Sequence, residues 1–128
     1  MLNGARAVRI TVPGYLPLSV EEIGFSGDGY RLVSLCHYGE QNGNLMRDPD
    51  IVFLFHNLPD GMAAEPVSFR NDYLGIVQEV YRYDEAGRRT HVLPSLKPEL
   101  KEFAESWFAN LKDQGFFAST AIREILSP

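Results

Sequence analysis

The sequence has little cysteine, no excess of basic residues and no long apolar run. Its one cysteine, Cys36, excludes an internal disulfide and suits a reducing compartment. The net charge of −5 disfavours nucleic-acid binding, since phosphate backbones attract basic surfaces. The longest apolar run, residues 51–55, is far shorter than the roughly 20 residues that span a bilayer. Because the N-terminus also lacks a secretory leader pattern, we expect an acidic, cytoplasmic protein with no membrane segment.

What is present is typical of a globular chain. The 128 residues are 45% hydrophobic, which predicts one domain over residues 1–128. Short apolar or alternating segments, separated by Gly, Pro and Asp-Gly turns, run from about residue 7 to residue 94. Such a succession predicts an antiparallel meander sheet. Its clearest strands are 30–38, 51–57 and 75–83, and segments 39–50 and 70–75 are interpreted as polar loops.

The periodicity then changes to that of a helix. Leu100, Phe103, Trp107 and Leu111 recur at spacings of three and four, which predicts a helix over about residues 96–114. Its apolar stripe is expected to cover the sheet, because a sheet with an apolar face needs such a cover. A short final helix is expected over about residues 120–126. The predicted fold class is therefore α+β.

The loop 39–50 and its flanks carry the densest polar side chains. Histidine beside carboxylates suits a divalent metal ion, and we take four residues as candidate ligands: His37, Glu40, Asp48 and Asp50. Asn42 and Arg47 are added as candidate binding residues. The sequence contains no established metal motif. The competing interpretation is loop architecture, in which Asn42-Gly43 is a hairpin turn and Asp48 accepts backbone N–H groups.

A second polar cluster follows at residues 70–75. Arg70, Asn71 and Asp72 are candidates for recognising an anionic or amide group, because arginine offers a rigid fork of donors. The alternative is an ion pair of Arg70 with a carboxylate and a turn at Asn71. Glu79 on the next strand is a further candidate: it must be paired, with Arg70 or Arg82, if its face is buried. Cys36 is expected to be a core or half-buried residue rather than a nucleophile.

Three stretches resemble a bacterial domain family of unknown function that is associated with plasmids and integrative conjugative elements. They are HYGEQNGNLMRDPD at 37–50, FRNDYLGIVQEVY at 69–81, and residues 103–116. The family pattern has Asp where this chain has Asn44, and usually Glu where it has Asp50, which argues against both positions as metal ligands. The resemblance implies a small accessory protein of mobile elements and no particular reaction.

The leading hypothesis is a non-enzymatic binding domain that needs no cofactor and uses the two polar loops as its recognition surface. The expected partner is a protein, and an exposed sheet edge would allow a homodimer. The alternative is a metal-dependent hydrolase or nuclease that uses the four candidate ligands. A third hypothesis is an acidic decoy for a DNA-binding protein.

Overall fold

The computed structural model describes residues 2–128. Six strands follow one another in space as they do in sequence, and every neighbouring pair is antiparallel. They are β1 Ala7–Thr11, β2 Leu18–Phe25, β3 Arg31–Gln41, β4 Asn44–Leu58, β5 Gly61–Asn71 and β6 Ile76–Glu79. The antiparallel meander is confirmed.

The remaining elements complete the α+β architecture. β7 Tyr81–Tyr83 and β8 Arg89–Val92 form a separate two-stranded hairpin, which is followed by helix α1, Leu96–Gln114. The last strand, β9 Ile122–Ser127, pairs with β1 and extends the large sheet to seven strands in the order β6-β5-β4-β3-β2-β1-β9. Within the described part of the chain, no helix has both the length and the apolar character needed to cross a membrane.

Three predictions of local structure are wrong. The expected final helix at 120–126 is strand β9, because the outer edge of β1 offers backbone donors and acceptors that only a strand can pair. Most of the expected loop 39–50 is strand, because Asn42-Gly43 closes a tight turn between β3 and β4. The expected strand 75–83 breaks at Val80, where the backbone N–H bonds to Val67 and the carbonyl accepts from Leu93.

Helix α1 covers one face of the sheet. Its buried side chains repeat at spacings of three and four, as predicted. Ala104, Trp107 and Leu111 pack on apolar side chains of β1 to β4, and Leu96 and Leu100 pack on Val80 and Tyr81. The helix ends at Gly115, whose φ of 95° is a left-handed conformation that favours glycine. We call the covered side the helix face and the opposite side the open face. Because side chains alternate along a strand, Val33 and Leu35 lie on the helix face, and Ser34 and Cys36 on the open face.

Candidate functional site

The β3–β4 hairpin carries the first predicted polar segment. Asn42 and Gly43 have φ values of 52° and 81°, the two positive values that a two-residue type I′ turn requires. Glu40 stands opposite Leu45 near this turn, and both are exposed. The candidates Glu40 and Asn42 therefore lie at the hairpin tip, with no side-chain hydrogen bond or ion pair in the described residues.

The turn between β5 and β6 packs against this hairpin. The backbone N–H of Asp72 donates to the Arg47 carbonyl at 2.8 Å, and the Arg47 N–H donates to Asp72 Oδ2, also at 2.8 Å. Asn71 Nδ2 donates to Asp48 Oδ1 at 2.7 Å. The structure thus brings the two polar segments together at one end of the sheet, through bonds that use both main chain and side chains.

Two arginine–carboxylate pairs lie at this junction. Asp50 stands between Cys36 and Arg70 in the strand register, so all three lie on the open face. Ser34 Oγ donates to Asp50 Oδ1 at 2.6 Å, and Arg47 Nε lies 3.8 Å from Asp50 Oδ2. Arg70 Nε donates to Asp72 Oδ1 at 2.7 Å. Each guanidinium is therefore held by a carboxylate while remaining about two-fifths exposed, at 36% and 44%.

Exposed apolar side chains flank these pairs. Leu45 is 72% exposed on the hairpin, and Leu74 is 70% exposed on the turn. Tyr73 of the same turn reaches the hairpin, where its hydroxyl donates to the Glu40 carbonyl at 3.4 Å. We define the hairpin–turn surface as these residues together with the two ion pairs: Leu45, Arg47, Asp50, Arg70, Asp72, Tyr73 and Leu74.

The electrostatics of this region favour ordered charges and an unreactive thiol. The Arg47 backbone N–H and the Arg70 guanidinium lower the pKa of Asp72. Burial, helped by the nearby Asp50 carboxylate, raises the pKa of Cys36 to about 12. Burial also raises the pKa of Tyr38. The charged groups are therefore fixed at neutral pH, and Cys36 stays protonated, which excludes it as an activated nucleophile.

His37 lies on the other side of the sheet. It is paired with Leu18 of the core, and its ring packs edge-on against Trp107 and Phe116 at centroid distances of 5.6 and 5.4 Å. Nδ1 donates to the Pro17 carbonyl at 3.2 Å. Burial lowers the pKa of His37, so the imidazole is neutral under helix α1.

The four candidate metal ligands do not converge. His37 is on the helix face, Asp50 on the open face and Glu40 at the hairpin tip, while Asp48 accepts from Asn71. In residues 2–128, no group of three or more His, Cys, Asp or Glu side chains is placed to hold a metal ion. The arrangement therefore gives no support to the hydrolase or nuclease hypothesis.

Glu79 is exposed on β6 and stands opposite Ser68. It lies on the open face, outside the hairpin–turn surface. Neither Arg70 nor Arg82 comes within ion-pair distance of it, and no other partner for its side chain occurs among the described residues. Exposure to water removes the need for the pairing that a buried carboxylate would require.

Sequence reasoning missed a further polar network, centred on Glu65 of β5. This carboxylate accepts from the Tyr81 hydroxyl and lies 3.0 Å from His56 Nε2 and 3.2 Å from Lys97 Nζ. Burial opposes ionisation of Glu65, but these three partners outweigh it and lower its pKa. The network ties the β7–β8 hairpin and the start of α1 to the sheet. No sequence signal pointed to it, because its four members come from four separate elements.

Comparison with known proteins identifies a family. Neither the curated proteins nor the solved structures contain a match to this chain. A family model described as a domain of unknown function matches residues 1–117, which include β1 to β8 and α1 but not β9. The chain therefore belongs to the DUF6908 family.

Proposed function

We propose that this chain is a non-enzymatic domain that binds a protein partner through its hairpin–turn surface. The observation that carries the proposal is the pair of arginines at the junction of two turns, each held by a carboxylate and each still exposed. Side chains that are ordered before binding lose less entropy when a partner docks. The resemblance to mobile-element proteins supports an accessory role in the bacterial cytoplasm.

The composition of the surface supports a protein partner. Arginine and tyrosine are enriched among residues that dominate binding energy at protein interfaces. Here Arg47, Arg70 and Tyr73 belong to the same hairpin and turn as two leucines that are at least 70% exposed. Exposed aliphatic side chains near charged groups are a feature of protein-interaction sites.

The test is quantitative affinity capture from the source cells. A double variant, Arg47→Ala with Arg70→Ala, is compared with the wild type and with a control that carries Lys101→Ala and Glu102→Ala on the exposed side of α1. We expect at least one protein to be retained by the wild type and the control but lost from the double variant. Its direct binding to the purified domain is then measured by calorimetry.

Folding is checked on every variant by circular dichroism and thermal unfolding. A second double variant, Arg47→Lys with Arg70→Lys, keeps both charges but removes the planar donor fork. We expect it to bind the partner more weakly than the wild type does. If the folded alanine variant retains every captured protein at wild-type levels, the surface does not serve as the recognition site.

A further inference from the structure

A preformed groove occupies the open face beyond the hairpin–turn surface. The β7–β8 hairpin crosses one end of the sheet and leaves a cavity of about 380 Å³. Its floor is formed by Leu32, Val52 and Leu54, and Tyr81 and Tyr83 line it from the crossing hairpin. We call this cavity the open-face groove. Its size and its apolar lining fall within the range of binding pockets, which are mostly apolar with a few placed polar groups.

The hairpin that forms the groove is fixed in position. Tyr83 packs directly on Gly27, and Gly87 approaches the Gly27 carbonyl so closely that no side chain would fit. Arg89 Nε lies 3.1 Å from Asp28 Oδ2, and the Arg89 guanidinium lies 3.8 Å from the centre of the Tyr81 ring. These contacts hold the groove open without a ligand, so binding would need little reorganisation.

One unpaired carboxylate lines the groove. Glu79 and Ser68 are cross-strand partners at its β5–β6 side. The neighbouring carboxylates Asp28, Asp50 and Glu65 all have a cationic partner within 4 Å, whereas Glu79 has none among the described residues. An aliphatic and aromatic groove with one free negative charge is complementary to a ligand with an apolar body and a positive end.

We propose that the open-face groove receives a lysine or arginine side chain of the protein partner, with its charge at Glu79 and its aliphatic stem on Leu32 and Val52. This inference rests on the proposed function. The register places Glu79 two residues from Val77, which stands opposite Arg70. The groove and the hairpin–turn surface are thus about 7 Å apart along the strands. One segment of a partner can contact both, and the net charge of −5 favours its basic residues.

The test uses capped amino acids as probes. N-acetyl-arginine methylamide, N-acetyl-lysine methylamide and the neutral arginine isostere N-acetyl-citrulline methylamide are titrated into the ¹⁵N-labelled protein. The two cationic probes are expected to shift amide signals of Val52, Leu54 and Tyr81. Citrulline is expected to bind about 1.5-fold to five-fold more weakly than arginine, the range for an exposed ion pair.

Two matched variants identify the carboxylate. Glu79→Gln is expected to abolish the preference for arginine over citrulline. Glu21→Gln, at an exposed glutamate of β2 on the same face but outside the groove, is expected to keep it. The inference is wrong if no groove signal shifts, if arginine and citrulline bind equally, or if Glu79→Gln keeps the preference.

The outcome of this probe titration can be distinguished from the outcome of the affinity-capture test of the proposed function. Loss of a captured protein on mutation of Arg47 and Arg70 tests the hairpin–turn surface and does not involve Glu79. A partner that depends on the two arginines, together with no probe binding in the groove, would refute only the groove. Probe binding that depends on Glu79, together with an unchanged capture profile, would refute only the hairpin–turn surface.

Discussion

The hydroxyl of Tyr73 occupies the space into which a Cβ atom at position 39 would project. It fits there because Gly39 has no side chain. This contact locks the β5–β6 turn onto the β3–β4 hairpin, beside the bonds between Asp72 and Arg47. The close approach of the turn to the hairpin at this point thus requires the absence of a side chain at residue 39.

Gly39→Ala is therefore expected to lower the free energy of unfolding by about 0.5–1 kcal/mol, less than the usual cost of overpacking a core, because the Tyr73 hydroxyl is the end of a 42% exposed side chain that can shift. Adding Tyr73→Phe should recover part of this loss, because the next Tyr73 atoms would lie at 3.3 and 3.4 Å from the new Cβ. Urea unfolding, monitored by Trp107 fluorescence, measures both effects. Tyr73→Phe alone, which loses one long hydrogen bond, is the control. Equal destabilisation of Gly39→Ala in both backgrounds would contradict the packing explanation.

The buried imidazole of His37 predicts a pH dependence of stability. Because burial lowers its pKa below the ordinary 6.5, the unfolded chain binds a proton that the folded chain resists. The free energy of unfolding is therefore expected to be highest above about pH 7, with respect to this group. It is expected to fall as the pH drops through 6.5 towards the folded-state pKa of His37.

The measurement compares urea unfolding at pH 7.5 and pH 5.5. His37→Asn is expected to show a smaller loss of stability between these pH values than the wild type, whatever its absolute stability. His91→Gln, at an exposed histidine, is the matched control and should keep the wild-type dependence. An unchanged dependence in His37→Asn would assign the effect to other groups.

Cys36 is expected to be chemically inert while the protein is folded. With a pKa of about 12, only on the order of one thiol in ten thousand is ionised at pH 8. Alkylation by iodoacetamide should therefore be at least about a hundred-fold slower in the native protein than in urea, where the pKa returns towards its ordinary range. Comparable rates in the two states would mean that the thiol is accessible and not shielded by Tyr38 and the strands around it.

Asp72→Asn tests the link between the turn and the hairpin. The Arg47 amide, which donates to Asp72 Oδ2, is expected to exchange its hydrogen faster in the variant. Since the pKa of Asp72 is lowered on folding, its stabilising effect is present above about pH 4 and is lost as the pH falls through the folded-state value. The melting temperatures of wild type and variant should therefore converge as the pH falls below the folded-state pKa of Asp72. A difference in melting temperature that persists there would mean that the substitution disturbs the packing of the turn, and does not act through the charge of Asp72.

The sequence predicted those elements whose signals are local. The stripe from Leu100 to Leu111 determined the long helix, and Asn42-Gly43 already marked the hairpin turn. Strand β9 could not be recognised this way, since Ile122, Ile125 and Leu126 have the spacing of a helix. The open edge of β1, more than a hundred residues earlier in the chain, decides their conformation.

The candidate site was only partly predictable, because only some of its features have a local signal in the sequence. Alternation along β3 already placed Cys36 and His37 on opposite faces. The pairing of Cys36 with Asp50 was needed to show that His37 and Asp50 are separated by the sheet. The position of Glu79 in a groove depends on the β7–β8 hairpin crossing the open face, and no local pattern reports such a crossing.

Strand β9 also bears on how the domain should be handled. The side chains of Ile122 to Leu126 are all exposed, so its attachment to β1 relies chiefly on main-chain pairing. A chain shortened to residues 1–117, where the family match ends, would leave the donors and acceptors of β1 facing water beside the buried Val8 and Ile10. Such an edge is a template for other extended chains, so self-association on truncation would follow from the missing strand alone.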